Sequence, residues 1–387
     1  MQKKIFWLYI TVFVNITGFG MVFPLLPLFA ETFKATPFDI GILAASFSVG
    51  QFVAAPIFGR LSDKYGRKPI LAASIIGSAL AFFLIGFANN LTLIFLSRVL
   101  HGVATAGNFP IAQAYIADIV SKEKRTEYMG KVAALFALGF VFGPAIGGFL
   151  GSLGFSLAFI AAALITLVNL VLVWIFLPES LTKKAKHFVL REGFLNLKAI
   201  YSGLRGDFGV LFYLLFAWSF YISNFQVAIP LLTEAKFAMK QMDIGIFFSM
   251  TGLASAIAQW FLLPIVIRKI GELKTILLGI GLMVFGQLLA PLTLSLTLFY
   301  VFFIFSIIGS GFKRPTVNAV LSKATKEGQG TTMGLAFSFE SMGRIFGPVI
   351  AGFTIGRLGY SFPFWVTVVV LLVGFILFYR VEMRRIR

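Results

Sequence analysis

The sequence predicts an all-α membrane protein of 12 transmembrane helices in two pseudo-symmetric six-helix bundles. Three observations lead there. Of 387 residues, 59% are hydrophobic and 12% charged, with a mean hydropathy of +0.94, where a soluble domain carries about 25% charge. The apolar residues fall in long runs, each near the roughly 20 that a bilayer-spanning helix needs. Landmarks of the first half also recur in the second at a near-constant spacing. A water-soluble enzyme is excluded, and no enzymatic activity is expected.

Taken in order, the expected spans are 5–29, 40–58, 69–88, 92–117, 129–150, 155–177, 207–231, 243–267, 275–292, 297–320, 331–353 and 361–380. The apolar run after Lys3-Lys4 is too long for a signal peptide and reads as an uncleaved first helix. Of 33 Lys and Arg, only Lys34, Lys236, Lys240 and Arg357 fall in loops on one side. Arg98, Lys313, Arg314 and Arg344 lie within spans, and the remaining bases all share the other side. This is the positive-inside pattern, so the net charge of +18 reports topology, with both termini cytoplasmic, and not nucleic-acid binding. Cysteine is absent, which removes disulfides, thiol chemistry and Cys-type metal sites. Of the two histidines, His187 lies in a basic loop.

The polar stretch 178–206 divides the chain into an N-terminal bundle (1–177), a cytoplasmic linker and a C-terminal bundle (207–387). Gly139-x3-Gly143-Pro144-x2-Gly147-Gly148 recurs as Gly343-x3-Gly347-Pro348-x2-Ala351-Gly352. Lys122-Glu123 recurs as Lys326-Glu327, and Gly130 as Gly334. Within one residue of the same spacing, Lys64-x-Gly66 matches Lys269-x-Gly271, and Gly151-x-Leu153-Gly154 matches Gly356-x-Leu358-Gly359. An even number of spans per half gives parallel repeats, which place a binding site near the midplane between them.

Polar groups inside spans carry the functional signal, because each central charge costs about 2.5–3.5 kcal/mol on the insertion scale. Such groups turn toward a partner or a wet cavity. Arg98, His101, Thr105 and Asn108 step along one face of the fourth span. Thr11 and Asn15 on the first span, Ser219, Ser223 and Gln226 on the seventh, and Ser306, Ser310 and Lys313 on the tenth form comparable stripes. Glu340 is the one acid of 15 well inside a span, four residues before Arg344. The two make an intrahelical ion pair, or Glu340 carries protons; burial and the neighbouring arginine push its affinity for protons in opposite directions. His101 is either a second proton carrier or a helix–helix hydrogen bond, and Arg314 is expected to snorkel to the surface. Four intramembrane bases against one acid favour anionic, zwitterionic or neutral solutes over cations.

The loop Gly59-Arg60-Leu61-Ser62-Asp63-Lys64-Tyr65-Gly66-Arg67-Lys68 resembles the first signature of the major facilitator superfamily. Arg98-x3-Gly102 is similar to its second, and Gly139–Gly148 resembles its antiporter motif. Asn15-x2-Gly18-x-Gly20 with Pro24 and Pro27, Tyr115-Ile116-Ala117-Asp118, and Leu177-Pro178-Glu179-Ser180 resemble the drug:proton antiporter branch. The resemblance covers the whole chain. It implies the major facilitator fold and a central path lined by helices 1, 4, 7 and 10. The substrate-cavity set is then Asn15, Arg98, His101, Thr105, Asn108, Ser223, Gln226, Lys313, Glu340 and Arg344.

The resemblance also implies a cytoplasmic latch of Gly59, Asp63, Gly66, Arg67 and Asp118, in which Asp63 and Arg67 pair at four-residue spacing. Glycine at position 59 would let a neighbouring helix approach, and the N-terminus of the eleventh helix would attract Asp63. A turn with positive-inside charges explains Lys64 and Lys68 but not an acid and a glycine at these positions, which favours the latch. Gly139, Gly143 and Gly147 share one helix face and permit close packing, with Pro144 allowing a kink; packing alone explains the stripe at least as well as an antiporter role, which rests on the resemblance. Branch members commonly carry acids on helices 1, 7 or 10, where this chain has Asn15, Gln226 and Gly311. Proton coupling therefore falls to Glu340, His101 or Asp118.

The expected function is export of small amphipathic compounds by alternating access, as a proton antiporter of the multidrug-efflux type. Its partners are a small-molecule substrate and the lipid bilayer of the cell membrane, and the protein works as a monomer. No metal or cofactor is expected beyond the proton gradient. The alternative is a proton-independent facilitator or exchanger of anionic or zwitterionic organic solutes. No filter sequence suggests a channel, and no phosphate-binding Gly-x4-Gly-Lys-Ser/Thr loop suggests an ATP-driven pump.

Overall fold

The computed structural model describes residues 2–121, 124–181, 208–324 and 329–386. His187, linker residues 182–206 and the Lys122-Glu123 and Lys326-Glu327 landmarks lie outside them. Among the described residues the chain is helical, without strands. The chain up to Phe176 supplies α1 (Gln2–Val22), α2 (Leu26–Thr32), α3 (Pro37–Tyr65), α4 (Arg67–Gly86), α5 (Leu91–Thr105), α6 (Asn108–Ile119), α7 (Arg125–Leu153) and α8 (Phe155–Phe176), and the chain from Gly209 supplies a second set. This second set is α9 (Gly209–Phe237), α10 (Gln241–Ile257), α11 (Leu263–Ile270), α12 (Glu272–Leu289), α13 (Leu296–Ala324), α14 (Gln329–Leu358) and α15 (Phe362–Ile386).

Every expected span has helix in its place, and the interruptions have local causes. The first span bends between α1 and α2 at Phe23–Leu25, where Pro24 and Pro27 lack the N–H that would continue the ladder. The fourth breaks at Ala106–Gly107, one turn before Pro110. The eighth widens into a π-helical turn, Ala258–Leu262, just ahead of Pro264. Ten helices among the described residues are long and apolar enough to cross a membrane. The other two expected spans are the interrupted α5–α6 and α14, which carries Glu340 and Arg344.

Two compact units form. One comprises Met1–Ala35, Ser46–Phe194 and Met239–Gly252; the other comprises Thr36–Ala45, Leu195–Ala238 and Leu253–Arg387. The glycine repeat explains much of the packing within each. In the first unit Gly139, Gly143 and Gly147 lie on α1: a Cβ on Gly143 would sit 2.7 Å from the Thr17 carbonyl oxygen, and one on Gly147 would overlap the Met21 backbone. Gly148 faces α10 instead, with its Cβ position 2.9 Å from the Gly245 Cα. In the second unit Gly343 and Gly347 meet α9 around Phe216–Asn224, while Gly352 meets Pro37 and Phe38. The sequence repeat is thus a repeat of backbone approaches, and the stripe on α7 is a packing surface.

Candidate functional site

The α3–α4 turn is organised by charge. Gly66 has φ +118 and is followed at once by α4, whose first N–H groups lack helical partners. Glu179 supplies the acceptors. Its carboxylate takes N–H bonds from Arg67 (2.9 Å), Lys68 (3.1 Å), Ser180 (2.9 Å) and Leu181 (3.0 Å). Burial opposes the charge, yet these four donors hold the Glu179 carboxyl below the usual carboxylate range. A Cβ at residue 66 would overlap Glu179 Oε2, so this glycine is required by φ and by space.

The Arg67 guanidinium donates to Asp63, to Ser62 Oγ (2.7 Å) and through Nε to Asp118 (3.1 Å). Ser180 Oγ donates to the same Asp118 oxygen at 2.9 Å, and the Tyr115 hydroxyl donates to the Pro178 carbonyl at 2.7 Å. The structure therefore brings Asp63, Gly66, Arg67 and Asp118 together, and adds Glu179 and Ser180. At Gly59 a Cβ would meet nothing within 4 Å among the described residues.

Deeper in the first unit, Arg98 and His101 are both buried. The Arg98 guanidinium lies over the Phe47 ring, 4.6 Å from its centroid, and reaches His101 Nδ1 at 3.5 Å. Arginine only donates, so a hydrogen bond between the two requires Nδ1 to accept. Phe19, Phe47 and Phe82 surround the imidazole, with Phe82 at 4.4 Å. Thr105 Oγ1 turns back to the His101 carbonyl at 2.7 Å, and Asn108 begins α6 beyond the break. Asn15 is buried on α1. The stripe therefore ends at the interruption instead of running straight through it.

In the second unit the acid and bases converge. Arg314 donates Nε to Glu340 Oε1 (3.0 Å) and Nη2 to Oε2 (3.2 Å), a two-point fork. Its guanidinium lies 4.3 Å over Trp218, whose indole N–H is satisfied by Ser310 Oγ at 2.8 Å. Arg344 is the longer partner, 3.6 Å from Glu340 Oε2; it donates to Ser341 Oγ (2.8 Å) and rests on Phe337 (5.2 Å). The expected intrahelical Glu340–Arg344 pair is therefore the weaker half of a triad. Arg314, expected to snorkel to the surface, has a 42% exposed side chain and at the same time anchors the triad through its fork on Glu340. A cleft of about 400 Å³ opens beside it, lined by Arg314, Asn318, Met333, Phe337 and Glu340 among others.

Several residues expected on a cavity wall lie inside helix interfaces. Lys313 is fully buried, and its Nζ has no partner among the described residues. Ser223 Oγ donates to the Ser219 and Gly343 carbonyls (2.7 and 3.0 Å), bridging α9 and α14. The Thr11 hydroxyl donates to the Trp7 carbonyl at 2.9 Å, and Ser306 joins Tyr221 and Gln287. Gln226 is buried on α9. A polar residue facing a sister helix and one facing a cavity have the same periodicity, so the sequence did not separate them.

The sequence profile described as the Major Facilitator Superfamily matches residues 8–338, with a second match over 265–386. The chain belongs to the Major Facilitator Superfamily. This superfamily member is 28% identical over 386 residues to Multidrug resistance protein 2 of Bacillus subtilis, covering 96% of this chain and 94% of that protein. It is 28% identical over 359 residues to the quinolone resistance protein NorA of Staphylococcus aureus, at 91% and 90% coverage. The tetracycline resistance protein, class H, of Pasteurella multocida is also 28% identical, at 94% and 91%. The fold is shared with the human organic anion transporter MFSD10 (TM-score 0.73, 24% identity, 97% of this chain and 99% of that one). It is shared too with the nucleoside transporter NupG (TM-score 0.78, 14% identity, 98% and 99%). The protein is a multi-pass membrane transporter by family and fold.

Proposed function

We propose that this protein exports small, structurally varied amphipathic compounds by alternating access, with inward proton flow as the energy source and no other cofactor. The observation that carries the reading is the likeness along nearly the whole chain to multidrug, quinolone and tetracycline resistance proteins. The Arg67 cluster supports a latch role for Asp63, Gly66, Arg67 and Asp118, since three of its charges are already paired at the α3–α4 turn. Glu340 is our choice of proton carrier, being an acid held within the spans on the edge of an open cleft. His101 is disfavoured for that role, because a proton on Nδ1 would face the Arg98 guanidinium. The basic loops support cytoplasmic termini, and each chain works as a monomer.

The reading is tested in cells lacking their own drug pumps. Expression should raise resistance several-fold to at least two chemically unrelated amphiphiles, and a protonophore should abolish dye extrusion. Unchanged resistance to every amphiphile tried would remove the exporter reading. A second reading, proton-independent exchange of anionic or zwitterionic solutes, draws on the amides Asn15 and Gln226 and on the pairing of Glu340 with two arginines. Extrusion that survives the protonophore would favour it.

A further inference from the structure

We infer that Arg314, held by Glu340 and stacked on Trp218, is a seat for the carboxylate of an aromatic amphiphile that fills the adjoining cleft. This rests on the exporter reading and adds to it a substrate class and a recognising residue. Three features of the second unit lead to it.

The first is the unspent edge of the guanidinium. Arginine carries five N–H donors in a planar fork. Glu340 takes one from Nε and one from Nη2, leaving the Nη1–Nη2 edge without a protein acceptor among the described residues. That edge matches a carboxylate in two-point geometry.

The second is accessibility. The Arg314 side chain is 42% exposed whereas Glu340 is 9% exposed; both line the cleft, and the arginine is the one open to an incoming solute. Glu340 acts as a positioning residue that fixes the fork. The third is surroundings. About 400 Å³ lies within the range of drug-sized sites. Trp218, its N–H satisfied by Ser310, lies under the guanidinium and backs it, while Phe337 and Met333 supply apolar wall. Arg314 and Arg344 against one carboxylate leave a net positive charge, which an incoming anion cancels and a cation worsens.

The test uses the purified full-length transporter and a matched set of probes on one naphthyl-alkyl scaffold: the carboxylate, its methyl ester and the corresponding primary amine. Binding is read by displacement and by tryptophan quenching. The wild-type protein should hold the carboxylate roughly tenfold or more tighter than the ester, the size of one net charge-assisted hydrogen bond, with the amine weakest. Arg314→Gln should bring carboxylate and ester to within about twofold of each other with ester binding still measurable, and its melting temperature in detergent checks that the variant is folded. Arg314→Lys should restore only part of the preference, because an ammonium lacks the fork.

Equal wild-type affinities, a tighter amine, or an Arg314→Gln variant that loses the ester along with the carboxylate would each overturn the seat. If neutral or cationic dyes are still extruded from cells in those cases, the exporter reading survives while the seat fails. Failure of all three probes to bind and of every dye to be extruded would take both down.

Discussion

Glu179 spends one carboxylate on four backbone amides, and its effect on stability has a defined sign. The folded group titrates lower than an ordinary glutamate near about 4.3, so its stabilisation is complete above that value. It fades as pH falls through the lower folded value. Glu179→Gln should cost about 1–3 kcal/mol at neutral pH, since an amide brings only one acceptor and its NH2 faces donors. The gap between the wild-type and variant melting temperatures in detergent should narrow below about pH 4. Lys313 makes the opposite case. Its buried Nζ has no partner among the described residues, and burying an unpaired polar head is costly. Lys313→Met should therefore raise the melting temperature, by at least about 1 kcal/mol of stability; a lower one would reveal a partner for the amine.

At the scale of elements, glycine decides where helices touch. A Cβ on Gly245 would overlap the Pro144 carbonyl and crowd Gly148, and one on Gly41 would overlap the Pro348 carbonyl. Gly245→Leu and Gly41→Leu should each cut transport at least about tenfold while expression is retained, because overpacked interfaces must shift. Gly281→Leu is the control, since nothing among the described residues lies within 4 Å of its Cβ position. The α7 and α14 stripes were legible because spacing alone puts small residues on one face. Gly139–Gly147 and Gly343–Gly347 pack as that spacing implies. The Arg314–Glu340 fork was not legible, because it depends on how α13 and α14 are rotated, which no local pattern records. Glu179 was hidden for a similar reason: its role arises only when the chain after α8 returns to the start of α4.

For the whole molecule, hydropathy, the basic loops and the internal repeat were enough to read the class of protein, and the superfamily match agrees with them. Assigning intramembrane polar residues was harder. Ser223, Ser306 and Lys313 face sister helices, whereas Arg314 and Glu340 border open space, and sequence periodicity looks the same in each case. The central claim is that solute movement is tied to protons through Glu340. Its most direct measurement is solute flux in proteoliposomes of wild-type and Glu340→Gln protein, with and without an imposed pH gradient. The account predicts that the gradient drives uphill transport by the wild type, while the variant binds solute yet moves it only downhill. Wild-type flux indifferent to the gradient, or a variant still driven by it, would contradict the account.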